Sequence, residues 1–170
     1  MKRLFTAVAS LSLLFTGCAG YHIGATKPKF MTGIHSLAVP TFENTTLLPR
    51  VEVLAATTVI KQLQQDGTFQ VASSDKADAI LKGTLTRARR SQARSVRSDV
   101  EASQEYILEV EFTYQLTRRS TGELLDAGKV AGTTSFYISG NDVNQDERQA
   151  FPLALEQAAI HLVSRVTEGW

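Results

Sequence analysis

The 170-residue sequence predicts an α+β two-layer sandwich: a mixed, mostly antiparallel sheet of about four strands with two helices packed on one face, in the order β-α-β-β-β-α. Three observations carry that prediction. Val53, Ala56, Val59, Ile60 and Leu63 recur at helical spacing, and so do Phe151, Leu155, Ala158, Ala159, Leu162 and Val166. Between these stripes, Tyr106, Leu108, Val110, Phe112, Tyr114 and Leu116 alternate with Glu109, Glu111, Thr113, Gln115 and Thr117, the period of a strand with one buried face. Turns join the strands that follow residue 70, which makes an antiparallel meander the economical arrangement.

The chain opens with an export signal. Lys2 and Arg3 form a basic start, and Leu4 to Phe15 an apolar stretch shorter than the roughly 20 residues of a membrane-spanning helix. Leu14-Phe15-Thr16-Gly17-Cys18 reads as a lipobox, with small Gly17 before the bond to be cut and the Cys18 thiol as the site of lipidation; Phe15 stands where Leu is usual. Residues 1–17 are therefore expected to be a lipoprotein signal peptide, 18–33 a lipidated tether and 34–170 the folded domain. Ala19 follows the cysteine, with no aspartate to signal inner-membrane retention. The expected location is the periplasmic side of an outer membrane, anchored by acyl chains. Cys18 is the single cysteine, so stability must come from packing and not from a disulfide.

The domain's elements follow in order. Ile34 to Val39 is a short strand that Pro40 ends. Glu43-Asn44-Thr45-Thr46 is a polar corner, Pro49 suits the first turn of a helix, and Gly67 closes that helix as a left-handed residue. Phe69 to Val71 is a brief strand and Ser73 to Lys76 a turn. Ala79, Leu81, Gly83 and Leu85 then alternate with Ile80, Lys82, Thr84 and Thr86 until Arg87, where the alternation fails. The strand must bulge there or run out beyond the core. After the clear strand at 106–117, Ser120-Thr121-Gly122-Glu123 turns the chain into a last strand, Leu124 to Ser139, loosened by Gly128 and Gly132. Asn141 to Gln145 is a corner able to cap the final helix, and Asp146 and Glu147 suit its first turn. Pro152 predicts a kink or a short first segment.

The chemistry is spare. Without residues 1–17, 16 basic residues stand against 17 acidic ones, a balance with no electrostatic footprint for nucleic acid. His22, His35 and His161 lie far apart and outside metal-ligand spacing. Gly-x-Ser-x-Gly, a P-loop and a dinucleotide fingerprint are missing. No catalytic residue, metal or cofactor is expected. One run fits an anionic ligand or partner: Arg87, Arg89, Arg90, Arg94 and Arg97, with no acid among them. Glu101, Glu105, Glu109 and Glu111 of the next strand can neutralise it across a hairpin, in exposed pairs each worth about 0–1 kcal/mol. Alternatively, the arginine forks meet phosphates or carboxylates of a glycolipid or partner.

Several motifs occur together in a telling order. Cys18 is followed by Gly20-Tyr21, then Leu37-Ala38-Val39-Pro40-Thr41-Phe42-Glu43-Asn44-Thr45-Thr46, then Val51-Glu52-Val53 opening a helix that ends Gln65-Asp66-Gly67. Ala77-Asp78-Ala79-Ile80-Leu81-Lys82-Gly83-Thr84 and Arg165-Val166-Thr167-Glu168-Gly169-Trp170 complete the series. In this order the chain resembles the LPS-assembly lipoprotein LptE family over nearly all of its mature length. The resemblance implies an outer-membrane lipoprotein that sits inside an LptD-type β-barrel, aids its assembly and helps place lipopolysaccharide in the outer leaflet. It brings no catalytic residue. Ala38 to Asn44 also looks like the start of periplasmic lipoproteins related to the curli secretion channel and to activators of peptidoglycan synthases, whose α/β plan is longer.

Overall fold

The computed structural model describes residues 27–94, 105–138 and 143–169. Cys18, the signal peptide, His22, Arg97, Trp170 and the first part of the expected polar corner at 141–145 lie outside them. A 3-10 turn, Lys29–Met31, precedes β1 (Ser36–Ala38) and β2 (Glu43–Asn44). Then come α1 (Val51–Asp66), β3 (Gln70–Val71), β4 (Ala79–Arg94), β5 (Glu105–Arg118), β6 (Leu124–Tyr137) and α2 (Val143–Glu168). The architecture is the expected two-layer sandwich, with both helices on one sheet face.

The sheet has six strands instead of about four, in the order β3-β1-β4-β5-β6, with β2 pairing β4. The additions are small and have a local cause. Proline has no N–H to give a ladder, so Pro40 breaks the stretch beside β4 into two pieces. β1 lies parallel to Ala79 and Ile80, and β2 parallel to Thr84 and Leu85. Between them Phe42 turns inward over Gly83, where any Cβ would run into the ring. Phe42 meets Phe112 edge-on, with centroids 5.6 Å apart.

The corner after β2 is held by its own side chains. Asn44 Oδ1 accepts from the Thr46 N–H (2.9 Å) and hydroxyl (2.7 Å), while Asn44 Nδ2 donates to the Leu48 carbonyl (2.6 Å). Pro49 does not start α1: Arg50, in the left-handed region at φ 64°, stands between them. Gly67 does end it, at φ 73°, with its N–H on the Leu63 carbonyl at 3.1 Å. The buried stripe of α1 is Val51, Ala55, Ala56, Val59 and Leu63, and Val53 is 55% exposed. Val51, Val53, Leu54, Ala55 and Ala56 crowd the first turns with apolar choices, so the phase there was ambiguous in sequence.

In α2 every residue of the expected stripe is buried. The helix runs as one element through Pro152, whose ring faces solvent. It crosses β6 at Gly132, where a Cβ would collide with the Ala154 carbonyl oxygen and the Ala158 amide nitrogen. This close approach lets α2 side chains reach the free edge of β6. Gln157 accepts the Thr133 N–H at 2.6 Å, and His161 Nδ1 lies 2.8 Å from the Ala131 carbonyl. Two edge groups that would otherwise be open to foreign strands are thus occupied.

β5 lies between β4 and β6. Leu108, Val110, Phe112, Tyr114 and Leu116 are buried under the helices, and Glu109, Glu111, Thr113, Gln115 and Thr117 lie on the open face, as the alternation predicts. The phenol of Tyr114 donates to Asp126 Oδ2 at 2.6 Å, and Arg165 Nε lies 3.5 Å from the same oxygen. That group ties β5, β6 and the end of α2 together. Burial, then the bond to Asp126 and its negative charge, push the Tyr114 pKa well up, so it stays a donor. Before β4, beside β1, Asp78 accepts from the His35 N–H (2.9 Å), the Ser36 N–H (3.0 Å) and the Ser36 hydroxyl (2.9 Å). The described part of the expected tether is packed: Met31 is fully buried, and Lys27 Nζ sits 4.6 Å from the Phe69 ring centroid.

Two outcomes check this packing. Phe112→Ala should cost about 3–5 kcal/mol in denaturant unfolding, and Thr113→Ala on the open face no more than about 0.5 kcal/mol. Equal midpoints would show that the faces are reversed. Asp78 is held below the usual carboxylate range by the His35 amide and the Ser36 hydroxyl. Its folded value lies below its unfolded one, so its contribution is present above about pH 4 and lost as pH falls through the folded value. The stability gap between wild type and Asp78→Asn, followed by acid titration of unfolding, should therefore narrow below about pH 4. A gap that does not change with pH would rule out this carboxylate clamp.

Candidate functional site

The described part of the basic run expected to meet an anion, Arg87 to Arg94, lies on β4, and a β-bulge comes just before it. Leu85 is opposite Phe112 and Arg87 opposite Glu111, so Thr86 is the extra residue. Past it the alternation resumes in shifted phase. Arg87 and Arg89 stand opposite Glu111 and Glu109 on the open face, whereas Arg90 stands opposite Leu108 on the helix face. Arg94 is opposite Glu105 in the ladder.

Each described arginine has its own surroundings. Arg87 Nη1 is 3.9 Å from Glu109 Oε1, with side chains 55% and 41% exposed, an ion pair worth about 0–1 kcal/mol. Arg89 is exposed, and among the described residues no carboxylate lies within 4.0 Å of it. Arg90 bonds Glu147 in α2, and its guanidinium lies 5.6 Å from the Tyr106 ring centroid. Tyr106 in turn stacks on Phe136 at 5.8 Å. Arg90 is therefore a strut between sheet and helix. Glu111 is taken up by Lys129 Nζ at 3.1 Å and the Thr86 hydroxyl at 3.0 Å. Burial opposes its charge most strongly, but the bonds from Lys129 and Thr86, with the charges of Lys129 and Arg87, hold the carboxyl below its usual value.

Hairpin neutralisation is thus real for Arg87 and inter-layer pairing for Arg90, and Arg89 is left facing solvent. Beside this run the open face has a polar depression of about 560 Å³, with Glu43, Lys82, Thr84, Thr113 and Gln115 in its wall. A second depression of about 570 Å³ lies between the starts of the two helices, against Pro49, Val51, Leu54, Phe151 and Pro152. His35 and His161 serve the backbone contacts already described, and among the described residues no three His, Cys, Asp or Glu side chains are placed to hold a metal. Nor is any described helix long and apolar enough to cross a membrane. Sequence reasoning missed Glu147 and Gln157. Both look like ordinary solvent-facing helix residues, and only the close seating of α2 brings them to β4 and β6.

The fold and this surface define a two-layer α+β domain with one sheet face covered by helices and the other open and charged. Solved structures share that fold. A minor lipoprotein of Acinetobacter baumannii is 16% identical with a TM-score of 0.53, over 80% of this chain and 92% of its own. The neuraminyllactose-binding hemagglutinin homolog of Helicobacter pylori is 14% identical with a TM-score of 0.55, over 88% and 90%. PelC of Paraburkholderia phytofirmans, a dodecamer, is 15% identical with a TM-score of 0.52, over 85% and 94%. At these identities the likeness is one of fold. Comparison with curated proteins by sequence finds no match. The family model described as LptE, lipopolysaccharide-assembly, matches residues 34–166, and the chain belongs to that family.

Proposed function

We propose that this lipopolysaccharide-assembly protein is anchored by a lipid on Cys18 to the periplasmic side of the outer membrane, seats in an LptD-type β-barrel and aids lipopolysaccharide insertion. The observation that carries this reading is the family match across residues 34–166, which takes in all six strands and nearly all of α2. The open sheet face supports it. A surface of Lys, Arg, Glu, Thr and Gln suits the polar interior wall of a barrel better than lipid does. Within that face Arg89, flanked by Arg87, is the cation best placed for a partner carboxylate or a glycolipid phosphate, and Arg94 and Arg97 follow them in the sequence. Arg90 is engaged by Glu147 and acts as support. The role is one of assembly and binding, with no catalytic step. The curli-channel and synthase-activator reading gains only a fold shared with distant lipoproteins, so it is not preferred.

Two experiments test the reading. Cys18→Ala should abolish acyl labelling and release the protein from membranes; unchanged labelling and retention would sink the anchor. Arg89→Glu should leave thermal stability nearly unchanged, because the guanidinium has no described carboxylate partner, yet weaken recovery of the barrel or of lipopolysaccharide from detergent extracts. The loss relative to wild type should be largest at low salt and shrink as salt rises, as expected for a screened contact. Wild-type recovery of both would remove Arg89 from the contact.

A further inference from the structure

Past its bulge, β4 is paired on one side only among the described residues. On the side away from β5 the last rung of the ladder is the Thr45 N–H on the Leu85 carbonyl, at 3.0 Å. Beyond the bulge Arg87 to Gln92 continue in regular register, all exposed except Ala88, which is half-buried.

The register fixes which groups face the open side. Opposite β5, the Ala131 carbonyl and the Thr133 N–H point away from it, toward His161 and Gln157. Glu111 and Glu109, their partners, must then direct their own N–H and C=O to β4, because antiparallel pairs alternate between bonded and non-bonded. Arg87 and Arg89 are the bonded pairs across that ladder. Ala88, Arg90 and Gln92, lying between and beyond them, turn N–H and C=O outward. No described residue bonds these three N–H and three C=O groups. On the β6 edge Gln157 and His161 take one N–H and one C=O, whereas among the described residues the β4 edge from Ala88 to Gln92 has no such partner.

We infer that the β4 edge from Ala88 to Gln92 accepts an extended acidic segment of another protein as an added strand. Charge selects this occupant. Arg87 and Arg89 stand on the open face beside the bare edge, so alternate residues of an added strand would lie about 4.5–5.5 Å from them by Cβ. Glutamates or aspartates at those alternate positions would meet both guanidiniums. A second copy of this chain docked edge to edge would set arginine against arginine, which is destabilising. The added strand would prolong the β4 side that β1 and β2 already line, with main-chain bonds giving affinity and arginines giving preference. This proposal does not depend on the identity of the assembly machine proposed above.

The test uses the full chain and a labelled, end-blocked peptide, Thr-Glu-Val-Glu-Val-Glu-Thr, followed by fluorescence anisotropy. Binding should be saturable and at least tenfold tighter than for the peptide with lysines in place of glutamates. Methylating the amides on one edge of the peptide should abolish binding, and methylating the other edge should spare it. Ala88→Pro removes one outward N–H without touching a β5 rung and should weaken binding at least tenfold at an unchanged melting temperature. If that variant does not fold, Gln92→Pro and the methylated peptides answer the same question. Arg89→Glu should abolish the preference for the acidic peptide. Equal affinity for both peptides, indifference to methylation on either edge, or dimerisation of the chain itself at peptide-free micromolar concentration would each overturn the proposal.

Discussion

The seating of α2 on the backbone of β6 is the contact on which the rest depends. It is possible because residue 132 is glycine: helix main chain occupies the space that any Cβ would need. Overpacking there would cost on the order of 1–3 kcal/mol, before counting what is lost further along the helix. With α2 this low, the alanines Ala150, Ala154, Ala158 and Ala159 suffice to fill the interface, and Leu155 and Leu162 reach the β5 core. The same descent puts Gln157 and His161 on the β6 edge and Glu147 within reach of Arg90. One missing side chain therefore sets both the core and the polar contacts around it.

A second local event, the bulge at Thr86, sorts the charges. Without it the odd-numbered arginines of β4 would continue the phase of Leu81 and Leu85 and point into the core, where an unpaired guanidinium is very costly. The extra residue reverses the phase, so Arg87 and Arg89 go to the open face and Ala88 takes the inward position opposite Val110. Thr86 then holds Glu111 by its hydroxyl. Arg90 is left on the helix side, but it sits near the end of the sheet, where Tyr106 and Glu147 can satisfy it.

Sequence made some of this legible and some not, for physical reasons. The β5 faces, the α2 stripe and the Gly67 cap each follow from a local period or a single conformational demand, and the structure repeats them. The failure of alternation at Arg87 announced either a bulge or a departure from the core, and the bulge is what occurs. The phase of α1 was not legible because its first turns are apolar on several sides, and only packing against α2 selects Val51 and Ala55 over Val53. β2 was missed because a two-residue strand carries no period, whereas β3 falls within the expected strand at Phe69 to Val71. Gly132 read as a loosened strand, since nothing in one strand says which helix will lie on it. For the arginines, periodicity gave a run, and tertiary structure gave Arg87, Arg89 and Arg90 three different neighbours.

The open face also explains why burial alone does not decide what this domain does. A sheet with helices on one side normally leaves the other to water, and here that side is polar enough to be stable so. Its charges are mostly answered locally, by Glu109 for Arg87 and by Lys129 and Thr86 for Glu111. A partner therefore gains little by neutralising the face as a whole. What remains unanswered within the described residues is narrower: the Arg89 guanidinium and the neighbouring main-chain groups of one strand edge. Both lie at the same end of β4, past the last rung from Thr45. An added strand is accordingly expected to meet that edge, beside the open face proposed to lie against the barrel wall.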